Sequence, residues 1–291
     1  MLALLEVFEN QLTAKSLQKY LFLFTRTQNK KAFDFVPYRY GCFSFQANQD
    51  LATMQKYGYL EIVQQNNGRF IKIKEKGNYL SLLTKQDKSI LLGTKKKFGA
   101  LAQDDLIRYT YQQFPYYATK SAIAHKLLTA EELQSIEQQK RSFSDTRLFS
   151  IGYEGVTLET YINKLIINDV RVLCDVRKNA FSQKYGFSKS QLKTACEGVG
   201  IEYVHVSELG IVSDKRRELN TQSDYDRLFM EYEKTSLKEN SEALLRIRNL
   251  LKSKKRVAIT CFENNPSQCH RTRVANKLLH FPDADYTLKN I

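Results

Sequence analysis

Four polar motifs in the second half of the chain contain residue types that could do chemistry together. They are GYEG at 152–155, DVR at 175–177, HVSELG at 205–210 and CFEN at 261–264. Each ends a short apolar run, as expected of strands that are buried on both faces of a sheet. Because the carboxyl ends of parallel strands share one edge, where ligands bind, the motifs predict a single polar cleft.

The acidic side chains of these motifs predict acid–base chemistry. In glycosidic cleavage a pair of carboxylates divides the work, one as general acid or base and one stabilising positive charge. The candidate catalytic residues are Asp175, Glu263, Glu208 and His205, with Glu154 as a further carboxylate. Asp175 and Arg177 are two residues apart on a strand and point the same way, so a plain ion pair is the alternative for them.

Basic and aromatic side chains around the same motifs predict an anionic ligand. Arginine and lysine would bind phosphates, and an aromatic ring could stack on a base. The candidate ligand-binding residues are Tyr153, Arg177, Lys184, Cys269, His270 and Arg271.

The segment CFENNPSQCHR contains a helix-start signal. Asn265 fits an N-cap and Pro266 the first helical position, so we expect a helix that contains His270 and Arg271 in its early turns. The free N–H groups of such a helix end suit a phosphate or a carboxylate.

Other chemistries remain as alternatives. The acids together with His205 could hold Mg²⁺ or Mn²⁺ for phosphodiester hydrolysis. Cys269, beside His270, could act as a nucleophile with a lowered pKa. Zinc bound by Cys261, Cys269, His270 and His205 is a third alternative. No spacing matches a dedicated metal motif, so the sequence predicts no cofactor and no metal, with Mg²⁺ as the open alternative.

The elements that must position these residues alternate regularly between strand and helix after residue 145. This alternation predicts a three-layer α/β/α C-terminal domain with a mainly parallel sheet over residues 146–291. Residues 1–145 predict a mainly helical, winged-helix-like domain with a helical extension, in which a basic β-hairpin follows three helices.

The hairpin is the clearest element of the first half. YLEIV and RFIKIKEKG flank a polar tip that ends in Gly68, and Ile62, Phe70, Ile71 and Ile73 are expected on its apolar side. The candidate nucleic-acid-binding residues of this wing are Arg69, Lys72, Lys74 and Lys76.

Composition narrows the class of partner. The 291 residues carry a net charge of +14, which favours a polyanion. The longest apolar runs are too short to span a bilayer and no signal peptide precedes them, so we expect a cytoplasmic protein that binds nucleic acid, DNA ahead of RNA, and no membrane. The five scattered cysteines argue against a disulfide framework, and the oligomeric state is not determined by the sequence.

The combination of IGYEG, CDVR, FSQKYGFSKSQL, YVHVSELG and CFENNPSQCHR resembles the bacterial family known as domain of unknown function 488 over about 130 residues. Ser182, Lys184, Gly186 and Phe187 match the loop that follows the family's Asp-x-Arg, whereas Asn265 stands where the family often has Asp. The resemblance implies the α/β fold and a polar cleft. The first half resembles YwgA-like winged-helix proteins.

Charge, cleft and resemblance together predict a nucleic-acid-processing enzyme, guided by the winged-helix domain, that cleaves a glycosidic or phosphodiester bond. The alternative is a non-catalytic nucleic-acid-binding or nucleotide-sensing protein.

Overall fold

The chain folds as two compact units, Met1–Lys140 and Arg141–Ile291. The computed structural model describes residues 1–66, 68–212 and 219–291. The boundary predicted from the sequence lies after residue 145. In the described ranges, no helix is both long enough and apolar enough to cross a membrane.

The N-terminal unit is mainly helical. Its helices are α1 (Leu2–Val7), α2 (Ala14–Thr27), α3 (Phe45–Lys56), α4 (Lys85–Phe98), α5 (Gln103–Gln113), α6 (Ala124–Leu127) and α7 (Ala130–Glu137). Its strands are β1 (Gln11–Thr13), β2 (Val36–Tyr38), β3 (Gly41–Phe43), β4 (Leu60–Gln65) and β5 (Gly68–Ile73). Strands β1, β5 and β4 form an antiparallel sheet in that order, and β2 pairs with β3.

The predicted hairpin is the β4–β5 pair, but its apolar residues do not share one face. Ile62 is opposite Ile71, which is 1% exposed, and both lie on the core face. Phe70 is one position away from Ile71 and therefore lies on the other face, because side chains alternate along a strand. The prediction that placed Phe70 with the isoleucines is wrong for this reason.

The C-terminal unit is an α/β domain with a five-stranded parallel sheet, as the alternation predicted. The strands are β6 (Arg147–Gly152), β7 (Val172–Asp175), β8 (Glu202–His205), β9 (Arg256–Cys261) and β10 (Thr287–Asn290), in the order β10-β6-β9-β7-β8. The helices are α8 (Leu158–Ile167), α9 (Lys189–Gly198), α10 (Gln222–Lys234), α11 (Ser236–Glu239), α12 (Ser241–Lys254) and α13 (Arg271–Leu279).

Both faces of this sheet are covered. Val257 and Ile259 of β9 join a core that includes Ile247 of α12 and Leu278 of α13. The intervening positions point the other way. There Tyr161, Ile162 and Leu165 of α8 are fully buried and lie outside that core, so α8 covers the opposite face. Burial on both sides explains why the central strands are apolar without alternation.

Three elements differ from the sequence prediction. Strand β10 was not predicted, because its TLKN sequence is polar and its pairing to β6 is at the sheet margin. The single long helical region predicted from Ser223 to Ser253 is divided into α10, α11 and α12. The predicted helix start at Pro266 is a 3-10 turn, Pro266–Gln268, and α13 begins only at Arg271.

Candidate functional site

The carboxyl ends of four parallel strands are adjacent in the C-terminal unit. Gly152 at the end of β6 pairs with Cys261 at the end of β9. Asp175 at the end of β7 pairs with His205 of β8 on one side and Thr260 of β9 on the other. The four polar motifs therefore leave the sheet along one edge.

At the centre of this edge, Asp175 is fully buried and its carboxylate is saturated by hydrogen bonds. Oδ1 accepts from the backbone N–H and from Nε of Arg177, at 3.1 and 2.8 Å. Oδ2 accepts from Nη2 of Arg177, at 2.5 Å, and from the Tyr203 hydroxyl, at 2.6 Å. Burial, and then Asp175, raise the pKa of Tyr203, which keeps the phenol protonated as a donor. This geometry favours a structural role for Asp175 over catalysis or Mg²⁺ binding.

The remaining donors of Arg177 also end on the protein. Nη1 donates to the Tyr153 hydroxyl at 2.7 Å and to the Phe187 carbonyl at 2.9 Å. Tyr153 is 3% exposed and stacks on Phe187, with ring centroids 4.3 Å apart. Arg177 and Tyr153 thus brace the loop after β7, and neither presents a surface to a phosphate or a base.

Two further predicted site residues are held by neighbours. Glu208 accepts a hydrogen bond from Arg246 at 2.7 Å. Its own backbone N–H, and after it Arg246, lower the pKa of Glu208 against the opposing effect of burial. Lys184 Nζ donates to the carbonyl of Tyr153 at 2.9 Å, and burial lowers its pKa.

Arg271 holds the loop after β9 in place from within the protein. Its side chain is buried; Nε donates to the Ser150 hydroxyl at 2.9 Å and Nη2 to the Asn264 carbonyl at 3.1 Å, while Nη1 donates to the Glu263 carbonyl. Glu154 accepts from the backbone N–H of Asn264 at 3.0 Å, which ties this loop to the end of β6.

The turn that follows this loop separates the predicted cap from the helix. Asn265 Oδ1 accepts from the backbone N–H of Ser267 at 3.1 Å and so caps the 3-10 turn instead of α13. The first residue of α13 is Arg271, whose side chain already has protein partners. The expected phosphate site at one continuous helix N-terminus therefore loses its structural basis.

Beneath the same loop lies a buried sulfur and imidazole cluster. One ligand atom from each of Cys261, Cys269 and His270 lies within 4.8 Å of the others. Cys261 Sγ is 3.7 Å from His270 Nδ1 and 3.3 Å from a carboxylate oxygen of half-buried Glu263. His270 Nε2 is 3.0 Å from the carbonyl oxygen of Val176.

The structure does not favour Cys269 as an activated nucleophile. Its side chain is fully buried, and it precedes α13 instead of lying in the first turn of that helix. Burial, and then Cys261, raise the pKa of Cys269. The lowered pKa expected from the sequence is therefore wrong, because that expectation placed Cys269 in the first turn of a helix, whereas the thiol is buried and precedes α13.

One surface open to a ligand at this edge is a basic cleft of about 550 Å³. Its charged residues are Lys178, Lys189 and Lys193, and half-buried His205 joins them with Nε2 2.9 Å from the Arg177 carbonyl oxygen. Its lining residues are Lys178, Asn179, Ala180, Phe181, Ser188, Lys189, Ser190, Lys193 and His205. None of these is acidic. We call this surface the basic cleft.

The sequence interpretation missed most residues of the basic cleft. Only His205 was among the predicted site residues. Lys189 and Lys193 are four residues apart in α9, a spacing that places them on one helix face, and this was the available signal. Phe181 is 71% exposed beside them, and an exposed aromatic ring cannot be recognised from sequence.

In the N-terminal unit the four wing residues differ in position. Arg69, Lys74 and Lys76 are exposed, whereas Lys72 is half-buried. Lys72 is directly opposite Glu61 in the β4–β5 register, so an acidic residue is its cross-strand neighbour. Arg69 also lines a cavity of about 280 Å³ together with Lys15, Arg39, Tyr38 and Tyr40.

Comparison with known proteins found a match to a family model within the C-terminal unit. Residues 157–278 match the family model described as domain of unknown function DUF488, which confirms the resemblance for this segment. No curated protein and no solved structure matches the chain. The resemblance of the first half to winged-helix proteins stays a prediction.

Proposed function

We propose that this protein binds nucleic acid through the phosphate backbone, with the basic cleft as a main contact and DNA as the first candidate. The observation that carries the proposal is the convergence of Lys178, Lys189, Lys193 and His205 on one open surface without an acidic lining residue. A surface of this kind attracts a polyanion, and release of counterions from the phosphates supplies the affinity.

The cleft also offers more than charge. Helix α9 begins at its edge with Lys189, so the positive end of the helix adds to the field of the lysines. Phe181, exposed in the same cleft, is suited to stack on an unpaired base. Basic groups beside an exposed ring favour a nucleic acid with single-stranded character over a simple inorganic anion.

The N-terminal unit supports the same partner class. Its elements follow the order α1, β1, α2, the short strand pair β2–β3, α3 and the β4–β5 hairpin, and β5 pairs with β1. Apart from the inserted strand pair, this order is compatible with a winged helix. The cavity beside Arg69 combines Lys15 and Arg39 with two tyrosines, and Lys15 Nζ lies 4.5 Å from the Tyr40 ring centroid. Interleaved basic and aromatic side chains are typical of nucleic-acid-binding surfaces.

Binding without cleavage is favoured because Asp175, the central carboxylate predicted for catalysis, is not open to substrate. Asp175 is buried and hydrogen-bonded on both oxygens, and Glu208 is paired with Arg246. A general acid or base must reach the proton that it transfers. Of the two hypotheses from the sequence, the non-catalytic nucleic-acid-binding protein therefore has stronger support than the nucleic-acid-processing enzyme.

The test is a binding measurement on the full chain with fluorescent single-stranded and duplex oligonucleotides of DNA and RNA, by anisotropy over a range of salt. We expect the double variant Lys189→Ala/Lys193→Ala to weaken binding at all sequences. The slope of log K against log salt should fall by up to about 0.9 per lost contact on a duplex and about 0.7 on a single strand.

The matched control is Lys252→Ala/Lys254→Ala, which removes the same charge from the last turn of α12, before the amino end of β9. This control should keep wild-type affinity and slope. A wild-type protein that binds none of the oligonucleotides at low salt would refute the proposal. Equal losses in both double variants would mean that only net charge matters and would remove the basic cleft from it.

A further inference from the structure

The cluster beneath the loop after β9 has the composition of a metal site. Cys261 ends β9, and Cys269 and His270 lie just before α13. All three side chains are at most 1% exposed. Two sulfurs and an imidazole nitrogen within 4.8 Å of one another are the donor types that Zn²⁺ prefers.

The orientation of His270 is the second observation. Its Nε2 lies 3.0 Å from the backbone carbonyl of Val176, and a carbonyl can only accept, so Nε2 carries the hydrogen. Nδ1 then presents its lone pair, and this is the atom that lies 3.7 Å from Cys261 Sγ. Metal-binding histidines are oriented in this way, with the second ring nitrogen donating to a backbone carbonyl or a carboxylate.

The distances are compatible with tetrahedral coordination. Ligand atoms at the usual zinc distances would lie about 3.5–3.8 Å apart for sulfur–nitrogen and sulfur–sulfur pairs. The separation of Cys261 Sγ and His270 Nδ1, 3.7 Å, is in this range, and the limit of 4.8 Å for the cluster requires only a small contraction. A Glu263 oxygen lies 3.3 Å from Cys261 Sγ, but it is outside the group of atoms that all lie within 4.8 Å of one another. The Glu263 side chain must therefore turn toward the cluster to supply the fourth ligand.

We propose that Cys261, Cys269 and His270 bind one Zn²⁺ ion as two thiolates and a neutral imidazole, with the Glu263 carboxylate as the fourth ligand. On binding, each thiol loses its proton to solvent. The two thiolates then balance the charge of the Zn²⁺ ion, and the Glu263 carboxylate gives the complete site one net negative charge. The ion would join the end of β9 to the start of α13 and hold the loop between them. His205, the fourth ligand in the sequence hypothesis, is not part of the cluster: its Nε2 lies 2.9 Å from the Arg177 carbonyl oxygen.

This inference does not depend on nucleic-acid binding. The first experiment is elemental analysis of the full chain, purified without an affinity tag that binds metal and without chelator. We expect one zinc per chain. After removal of the metal, addition of Co²⁺ should produce thiolate-to-cobalt charge-transfer absorption and visible bands of tetrahedral intensity.

The variants are Cys269→Ala and a matched control, Cys196→Ala, which removes an equally buried thiol outside the cluster. Cys269→Ala should lose stoichiometric zinc and the stabilisation that zinc confers against thermal unfolding, whereas Cys196→Ala should keep both. If Cys269→Ala does not fold, the cobalt spectrum of the wild-type chain still decides. Glu263→Gln should keep one metal per chain with shifted visible bands.

Two results would overturn the zinc site, and a third would overturn the assignment of its fourth ligand. The first is wild-type protein with neither stoichiometric zinc nor a tetrahedral cobalt spectrum. The second is a chain lighter by two hydrogens in a non-reducing mass measurement, with Cys261 and Cys269 joined as a disulfide and no metal bound. The third is an unchanged cobalt spectrum in Glu263→Gln, which would remove Glu263 as the fourth ligand.

Discussion

Asp175 and Arg177 satisfy each other inside the protein: three nitrogens of the arginine residue donate to the carboxylate, whose solvent exposure is zero. The pair is held by Tyr203 on one side and by Tyr153 on the other. In the sequence, the Asp175–Arg177 motif resembles a catalytic acid beside an anion-binding arginine. In the structure, the same two residues hold the loop between β7 and α9 from within the protein. The basic cleft is lined by Lys178, Asn179, Ala180 and Phe181 of that loop.

Removal of Arg177 should strongly destabilise the C-terminal unit. Arg177→Ala leaves the Asp175 carboxylate buried without its cation, which typically costs about 3–5 kcal/mol. Amide hydrogen exchange of β7 and β8 measures the opening free energy of this region. The control is Lys178→Ala, an exposed neighbour that should change stability by at most about 0.5 kcal/mol. Equal exchange rates in the two variants would contradict the brace.

Gly152 is required by a close approach of two chain segments. A Cβ at this position would lie 2.0 Å from the Glu263 carbonyl oxygen, and that oxygen is held by Arg271. We expect Gly152→Ala to cost at least about 1–3 kcal/mol, because backbone must move, and to speed hydrogen exchange in β6 and β9.

The control for this variant is Gly93→Ala in α4, where nothing lies within 4 Å of the added Cβ. It should stabilise α4 by about 0.5–1 kcal/mol, since alanine is the better helix former. A Gly152→Ala protein as stable as the wild type would show that the loop after β9 is not packed as described.

Phe181 should matter for unpaired bases only. If its exposed ring stacks on a base, Phe181→Ala weakens single-strand binding by about 1–3 kcal/mol and leaves duplex binding unchanged. The salt slope should stay constant, because no charge is removed. Phe181→Tyr keeps a stacking surface and serves as the control in the same anisotropy titration. Similar losses in the alanine and tyrosine variants would argue against stacking.

The basic residues of the β4–β5 hairpin should contribute unequally to phosphate binding. Arg69→Ala and Lys74→Ala each remove an exposed charge and should lower the salt slope on duplex DNA by up to about 0.9. Lys72→Ala should lower the salt slope less. Lys72 lies on β5, the central strand of its sheet, and Glu61 of the neighbouring strand β4 is directly opposite. If Lys72→Ala lowers the salt slope as much as Arg69→Ala does, Glu61 does not weaken the contribution of Lys72 to phosphate binding.

The sequence by itself determined the architecture of the C-terminal unit and the likeness to one family. Short apolar runs separated by amphipathic segments specify parallel strands with crossover helices, since hydrophobic periodicity is a local property. The parallel arrangement in turn requires that the polar ends of the strands share an edge. The capping role of Asn265 and the β4–β5 hairpin were also predictable, because capping and turn preferences act over a few residues. The element that Asn265 caps was not, since it is a 3-10 turn instead of the predicted helix.

Only the tertiary structure decided which of these polar residues can meet a ligand. The Asp175 carboxylate accepts a hydrogen bond from Tyr203, which is 28 residues away in the sequence. Arg271 donates to Ser150, which is 121 residues away. The tertiary structure also brings the two thiols together. Cys261 ends β9, and the loop that follows leads back to this strand end, so that Cys269, just before α13, lies in the same cluster. Whether a carboxylate is a catalyst or a brace depends on its burial and its partners, and packing between distant segments sets both.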